Sequence, residues 1–249
     1  MCTIIILRRT HHDWPLIIAA NRDEMKNRPF LAPARHWPER SHVVAGKDIE
    51  AGGTWLALNN DGVVSAVLNR KNSLGPEVGK RSRGELPLEA TEHAEARVAA
   101  NALALLEPAS YRAFNLIIAD ATKAFWLRSN SVRIDKTPVP EGLSMITSDD
   151  LNDTKNSGRI RFHLPRFGAT PTPEPDKDIW LAWEKLLAST EAEDTSNYEG
   201  ALNVVTEHGF GTVSSSILAI PSPKRFGVKP IWRFCAGIPG LHPYTPIML

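Results

Sequence analysis

The residues of this chain that are best suited to chemistry lie at its beginning. Cys2 becomes the first residue once the initiator methionine is removed, which is usual when a small residue follows it. It then carries a thiol and a free α-amine, whose ordinary pKa values are about 8.5 and about 7.7–8.0. Because the amine can accept the thiol's proton, one residue supplies both a nucleophile and a general base. The alternative is that Cys2 packs in the core as a small apolar residue.

Four polar residues, Asn21-Arg22-Asp23-Glu24, directly follow an apolar run. If that run pairs with the run after Cys2, the tetrad lies close to the thiol. An arginine there lowers the pKa of a thiol, and a carboxylate can hold or orient the α-amine. The alternative is a solvated turn whose charges compensate one another, and four residues in isolation favour that alternative.

Short apolar runs separated by turn-forming residues predict a series of antiparallel hairpins that would position these groups. The paired runs are residues 3–7 with 16–20, 52–58 with 63–68, 114–119 with 123–127, and 211–220 with 228–234. Weaker strands are expected near Val132 and over residues 143–147. Because the runs are apolar without alternation, the sheets should be covered on both faces.

Two stretches, residues 89–106 and 176–189, have the spacing of helices. In the first, the predicted buried face consists of Ala94, Val98, Ala102 and Leu105. In the second, a broad apolar side includes Ile179, Leu181, Trp183, Leu186 and Leu187. Residues 149–175, rich in polar residues and proline, are expected to run over the surface. Helices outside two stacked antiparallel sheets would satisfy this order of elements.

Composition restricts the class of protein. The 249 residues have a net charge of +1 and are 42% hydrophobic, which is typical of one globular domain spanning residues 1–249. No basic excess is available for nucleic acid, and no apolar run is long enough to span a membrane. With two cysteines and no secretory signal, we expect a reduced, cytoplasmic protein. The adjacent residues His11-His12-Asp13 lack metal-ligand spacing, so no metal or other cofactor is expected.

Several motifs in a fixed order carry a family resemblance. They are Met1-Cys2-Thr3, the tetrad with Arg28-Pro29, Ala51-Gly52-Gly53-Thr54-Trp55-Leu56, Ser82-Arg83-Gly84-Glu85-Leu86 and Asn115-Leu116. Together they resemble the NRDE family, which includes the eukaryotic transport and Golgi organisation proteins. That family in turn resembles the N-terminal-nucleophile hydrolases, especially choloylglycine hydrolases and penicillin V acylases.

The resemblance implies a fold and an activity. The fold is an α+β class, the four-layer αββα sandwich of two antiparallel sheets. The activity is hydrolysis of a small non-peptide amide through a thioester at Cys2. By the same resemblance, Arg22 and Asp23 tune and orient Cys2, and Asn69 helps to form the oxyanion hole, where an amide donor stabilises the intermediate by a few kcal/mol.

The sequence departs from the hydrolase pattern at two positions. Ser148 stands where the hydrolases have a second asparagine, and Val213 stands where many relatives have an arginine. The candidate substrate-binding residues are Asn21, Glu24, Trp55 and Ser148. For Trp55, as for most of the seven tryptophans, packing in the core is the alternative to lining an apolar pocket.

A second class of function stays open. Some eukaryotic members of the family are implicated in haem trafficking and lipid homeostasis, which implies a non-catalytic binding protein on the same scaffold. Haem binding needs an axial His, Cys or Tyr beside an apolar pocket, and Cys2 is the only motif-linked candidate. In either case the partner is a small-molecule substrate or ligand; the sequence predicts no oligomeric state.

Overall fold

The computed structural model describes residues 2–194 and 200–249. Met1, whose removal the Cys2 mechanism requires, lies outside the described residues. The chain divides into two compact units: the first unit contains residues up to 27 and residues 141–248, and the second contains residues 28–140. That residues 1–249 act as one domain stays a prediction.

Thirteen strands and four α-helices make up the described chain. The strands are β1 (Thr3–Arg8), β2 (Leu16–Met25), β3 (Phe30–Ala34), β4 (Val43–Asp48), β5 (Leu56–Asn59), β6 (Val64–Asn69), β7 (Phe114–Ala119), β8 (Ala124–Ser129), β9 (Ile134–Pro138), β10 (Gly142–Ile146), β11 (Phe210–Ile220), β12 (Ile231–Cys235) and β13 (Tyr244–Pro246). The helices are α1 (Leu86–Ala90), α2 (Ala96–Leu103), α3 (Gly158–Gly168) and α4 (Leu181–Leu187). The four predicted hairpins are all present.

The first unit is built on a six-stranded antiparallel sheet in the order β10-β1-β2-β11-β12-β13. In the central pairs, Thr3 lies opposite Asn21, and Asp23 lies opposite Thr212. The register between β2 and β11 then shifts, so that Arg22 lies opposite Ser214. Val213 is the extra residue of this bulge, which therefore falls directly against the polar tetrad.

One face of this sheet is covered by α3 and α4. The buried cluster there contains Ile5, Ile17 and Ile217 from the strands and Ile160, Phe167, Trp183 and Leu187 from the helices. The prediction that residues 149–175 run over the surface is therefore wrong for α3. Ser157 begins this helix by accepting a hydrogen bond from the backbone nitrogen of Ile160 at 3.4 Å.

The predicted apolar side of the second helical stretch is partly wrong. Trp183 and Leu187 are fully buried, as expected, but Ile179 and Leu181 are exposed. The helix begins only at Leu181, after the preceding chain has turned through Asp178, which has a left-handed backbone with φ of 53°. The prediction continued the helical periodicity back through this turn and therefore placed Ile179 and Leu181 on the wrong face of the helix.

The second unit is a seven-stranded antiparallel sheet with strands β3 to β9 in sequence order. The predicted helix over residues 89–106 is two helices, α1 and α2, separated by residues 91–95. Ala96, Ala99, Ala100 and Leu103 pack on β7 and β8, whereas Val98 and Leu105 are exposed. The predicted face was wrong because small alanines, rather than the larger aliphatic residues, form the contact with the sheet.

Two motifs of the family resemblance contact each other in this unit. The backbone nitrogen of Thr54 donates a hydrogen bond to the carbonyl of Gly84 at 2.8 Å. A side chain at Gly53 would place its Cβ 2.5 Å from the Gly84 carbonyl carbon. Gly53 is therefore required for close packing of two backbone segments.

Candidate active site

The thiol of Cys2 lies against the main chain of Asp23. Cys2 precedes β1, and the pairing of β1 with β2 brings it beside the tetrad. The backbone nitrogen of Asp23 donates to Sγ at 3.3 Å, and Sγ donates to the carbonyl oxygen of the same residue at 3.6 Å. The side chain of Cys2 is partly buried. The hairpin thus holds the candidate nucleophile from one side by backbone groups.

The carboxylate of Asp23 is fully buried and contacts the side chains of Thr212 and Arg159. Its Oδ1 accepts a hydrogen bond of 2.6 Å from Oγ1 of Thr212 on β11. Its Oδ2 lies 3.5 Å from Nη1 of Arg159, which also donates to Oγ1 of Thr3 at 2.8 Å. These side chains connect β1, β2, β11 and the first turn of α3, so the residues that flank the thiol are fixed by four elements.

Burial raises the pKa of the Cys2 thiol, and the negative charge of Asp23 raises it further. Arg22 acts in the predicted direction and lowers the pKa, but its effect is smaller than these two. At neutral pH the thiol therefore keeps its proton. Attack by Sγ on a carbonyl carbon requires a base that removes this proton.

Ser148 follows β10, the strand that pairs with β1. The β1–β10 ladder ends with Ile146 opposite Ile4, and Ser148 lies two residues beyond that last pair. Ser148 is buried, and its Oγ has no hydrogen-bond partner among the residues that the structure describes. A short polar group is thus available just after the strand that pairs with β1.

The other two members of the tetrad differ in their surroundings. The side-chain nitrogen of Asn21 donates to the carbonyl oxygens of Leu187 and Leu202, at 2.8 and 2.9 Å. These bonds tie β2 to the end of α4. Glu24 is partly exposed, accepts a hydrogen bond from the backbone nitrogen of Met25 and lies 3.9 Å from Nη2 of Arg22. Their assignment to substrate binding stays a prediction.

Asn69 and Trp55 belong to the second unit. Asn69 is the last residue of β6, lies opposite Phe114 and is partly buried. The ring of Trp55 packs over Gly46, where a Cβ would come within 2.4 Å of it, and meets Phe30 edge-on at 5.7 Å. The roles predicted for Asn69 and Trp55 stay predictions.

Two residues that contact the carboxylate of Asp23, Arg159 and Thr212, were not identified from the sequence. Arg159 was missed because residues 149–175 were expected to lie on the surface, although Ser157 followed by Ile160 and Phe167 is a helix signal. Thr212 directly precedes Val213, the position where many relatives have an arginine, but its contact with Asp23 depends on the pairing of β11 with β2. Both residues reach Asp23 through pairings of distant segments, and no short-range spacing encodes them.

Residues 2–194 and 200–249 contain neither a cluster suited to hold a metal ion nor a membrane-spanning helix. Within these ranges no three His, Cys, Asp or Glu side chains are grouped so as to hold a metal ion. The ring of His12 accepts a hydrogen bond at Nδ1 from the backbone nitrogen of Trp14 at 3.0 Å, so it supports the turn between β1 and β2. None of the helices in these ranges is both long and apolar enough to cross a membrane.

A family model described as Transport and Golgi organisation 2 matches residues 1–227. Among curated proteins, a Transport and Golgi organization 2 homolog from Mus musculus is 45% identical over 76 residues, or 28% of this chain and 26% of the relative. The Bos taurus homolog is 36% identical over 113 residues, or 42% of this chain and 38% of the relative. The chain thus matches well under half the length of these relatives.

Solved structures share the fold at low sequence identity. A Caenorhabditis elegans ortholog of N-acylethanolamine-hydrolyzing acid amidase has a TM-score of 0.55 at 13% identity and covers 92% of this chain and 98% of its own. A mutant conjugated bile acid hydrolase from Clostridium perfringens has a TM-score of 0.54 at 10% identity, covering 99% and 92%. Penicillin V acylase from Agrobacterium tumefaciens has a TM-score of 0.51 at 12% identity, covering 95% and 83%. The predicted αββα fold class is confirmed.

Proposed function

The chain belongs to the Transport and Golgi organisation 2 family, and from this membership and its fold we propose that it is an N-terminal-nucleophile cysteine hydrolase of a small non-peptide amide. The observation that carries the proposal is the contact of the Cys2 thiol with Asp23, whose carboxylate is anchored by Thr212 and Arg159. A buried, multiply anchored carboxylate beside a partly exposed thiol is costly to build for packing alone.

The reaction begins with removal of Met1, which frees the α-amine of Cys2. The amine takes the proton from Sγ, and the thiolate attacks the carbonyl carbon of the amide to form a tetrahedral intermediate. When the C–N bond breaks, the ammonium group returns the proton to the departing amine. Water, deprotonated by the same amine, then attacks the thioester and releases the carboxylic acid, restoring the thiol.

The surrounding side chains have supporting roles in this proposal. Asp23 keeps the Cys2 residue in place through its backbone and provides a negative charge that stabilises the ammonium form of the α-amine. Ser148 is suited to donate its unpartnered hydroxyl to the substrate or to the intermediate. The role of Asn69 as an oxyanion donor rests on the family resemblance.

The names of the structural neighbours support the choice of bond. They act, by those names, on N-acylethanolamines, conjugated bile acids and penicillin V. All three are amides outside a peptide chain, so an acyl group joined to a small amine is the substrate class we propose. The proposed cytoplasmic location agrees with the two free thiols, Cys2 and Cys235.

The test is to trap the acyl-enzyme. Protein from which Met1 has been removed is mixed with a panel of acylated amines and amino acids, quenched in acid, and analysed by intact mass and peptide mapping. We expect release of the amine and an acyl adduct on Cys2, both absent in Cys2→Ala and retained in Cys235→Ala. Amine release that survives in Cys2→Ala would contradict the proposal.

A further inference from the structure

A buried guanidinium lies behind the candidate site. Arg159 is in the first turn of α3, and its side chain is 5% exposed. One of its nitrogens, Nη1, lies 2.8 Å from Oγ1 of Thr3 and 3.5 Å from Oδ2 of Asp23. Burying a charged guanidinium is unfavourable unless an opposite charge and hydrogen bonds compensate it, and these two contacts provide both.

The two side chains that Nη1 of Arg159 contacts belong to residues next to the thiol. Thr3 is the residue bonded to Cys2 in the chain, and Asp23 contacts Sγ through its backbone nitrogen and oxygen. A single side chain from α3 thus contacts Thr3, which follows Cys2, and Asp23, whose backbone contacts the thiol. We infer that Arg159 is a positioning residue for the Cys2 thiol, which it holds through Asp23 and Thr3; the inference deepens the proposed function and rests on it.

The start of α3 contacts the chain segment that follows β10. Ser157 caps the helix, and its Oγ lies 3.4 Å from Oγ1 of Thr147, the residue before Ser148. Because the cap and the arginine are two residues apart, the contact with Thr147 limits the movement of Arg159. The first turn of α3, which carries Arg159, is therefore held in place next to the end of β10.

Charge gives Arg159 an effect that simple packing would not have. The carboxylate of Asp23 opposes deprotonation of the thiol, and the positive charge of Arg159 offsets that carboxylate. Without the guanidinium, the negative charge of Asp23 is less compensated, since Arg22 remains but lowers the pKa of the thiol by less than Asp23 raises it. Formation of the thiolate then becomes harder, even if the backbone keeps its geometry.

Arg161 offers a matched control on the same helix. Its side chain is 48% exposed and pairs with Glu193 on the surface, at 2.9 Å from Nε to Oε2. Replacing Arg161 by methionine removes the same charge from α3 as the change at Arg159 does, but it leaves the contacts of Asp23 and Thr3 intact. An effect of helix charge or helix stability alone would appear in both variants.

The experiment measures alkylation of Cys2 by iodoacetamide as a function of pH, in a Cys235→Ala background, so it needs neither substrate nor turnover. Arg159→Met should slow alkylation about tenfold at a pH of about 8, the size of a rise of about one unit in the thiol pKa. Arg159→Gln, a second neutral variant in case the methionine variant does not fold, should do the same. Arg159→Lys should stay within about threefold of the parent, because the positive charge remains, and Arg161→Met should match the parent.

A double variant tests whether Arg159 acts through Asp23. In the Asp23→Asn background, the neutral substitutions of Arg159 should no longer slow alkylation, because the carboxylate that they expose is absent. An unchanged pH profile in Arg159→Met and Arg159→Gln, or an equal effect in Arg161→Met, would overturn the inference. If the protein proves to hydrolyse no amide, the alkylation profiles still decide the role of Arg159, so the two failures are distinguishable.

Discussion

The backbone nitrogen of Asp23 lies 3.3 Å from Sγ of Cys2, while the carboxylate of Asp23 contacts Thr212 and Arg159. Asp23 therefore holds the thiol with its main chain and uses its side chain to join separate elements. Because both carboxylate oxygens already have partners, the carboxylate is poorly suited to take the thiol's proton. This arrangement favours the α-amine of Cys2 as the base and makes the removal of Met1 decisive.

The first prediction concerns that amine. Protein made without an N-terminal tag should have the mass of a chain lacking Met1. Insertion of one alanine between Met1 and Cys2 should lower amide hydrolysis at least about a hundredfold, because the amine of Cys2 becomes a peptide nitrogen and can no longer act as a base. Amine release measured at equal protein concentration checks this. Full activity in the insertion variant, or a native protein that retains Met1, would exclude the mechanism.

The second prediction compares the two thiols. Burial raises the pKa of both thiols, that of Cys235 to about 11, but the side chain of Cys2 is partly exposed whereas Cys235 is fully buried. Cys2 should therefore be alkylated first by iodoacetamide at a pH of about 8. Peptide mapping over time measures both sites in one sample. Equal rates would mean that the surroundings of Cys2 give the thiol no special access.

The third prediction concerns the buried ion pair. Asp23→Asn leaves the charge of Arg159 buried beside a neutral amide and should lower the free energy of unfolding by about 3–5 kcal/mol. Glu24→Gln, next in the chain but partly exposed and 3.9 Å from Arg22, should cost at most about 1 kcal/mol. Urea denaturation of both variants gives the comparison. Similar losses would show that the anchoring of Asp23 contributes little to stability.

The fourth prediction is a pH dependence of stability. His163 on α3 is fully buried with Nε2 3.0 Å from the carbonyl oxygen of Gly200, and burial lowers its pKa to about 4. Between that value and the ordinary pKa of about 6.5, the unfolded chain binds the proton and the folded chain does not. Stability contributed by neutral His163 is thus present above pH of about 6.5 and is lost as the pH falls toward about 4, by roughly 3 kcal/mol in total.

Substitution of this histidine provides the check. His163→Gln keeps a donor for Gly200 but does not titrate, so the fall in stability over this window should be smaller than in the parent. His208→Gln, a change at an exposed histidine, should leave the fall unchanged. Denaturant unfolding at several pH values measures all three proteins. An identical slope in His163→Gln and the parent would contradict the assignment.

The fifth prediction separates the hydrolase from a haem-binding protein. A thiolate ligand to iron requires a deprotonated cysteine, but burial and Asp23 raise the pKa of Cys2. Titration with haemin should therefore give the same Soret band in the parent and in Cys2→Ala. A band that shifts only when Cys2 is present would favour the binding function over the hydrolase.

The hairpins could be predicted from the sequence because each joins two apolar runs through turn residues that lie close in the chain. Helix α3 was missed despite the signal of Ser157, Ile160 and Phe167, since its buried side also includes Arg159 and His163, and arginine is a residue type that is usually exposed. Contacts with Asp23, Thr3 and Gly200, all from distant segments, help to make their burial favourable. The phase of α2 was wrong for a related reason: the sheet accepts its alanines and leaves Val98 in solvent.

The candidate site likewise contains residues that could be predicted from the sequence and residues that could not. The closeness of Cys2 to the tetrad follows from one hairpin, so local sequence was enough to anticipate it. The partners of Asp23 come from residues 159 and 212, and no spacing within the tetrad encodes them. Sequence patterns therefore identified the thiol and its neighbour, while the groups that set their electrostatics depended on tertiary pairing.

Asn21 changes what the tetrad can be used to diagnose. Its side-chain amide links β2 to the carbonyl oxygens of Leu187 and Leu202 by hydrogen bonds, so the residue at this position stabilises the fold. A protein without any chemistry at Cys2 would still need these hydrogen bonds to fold. Finding these four letters in a genome therefore identifies an architecture, and the evidence for an enzyme has to be sought at the second residue of the chain.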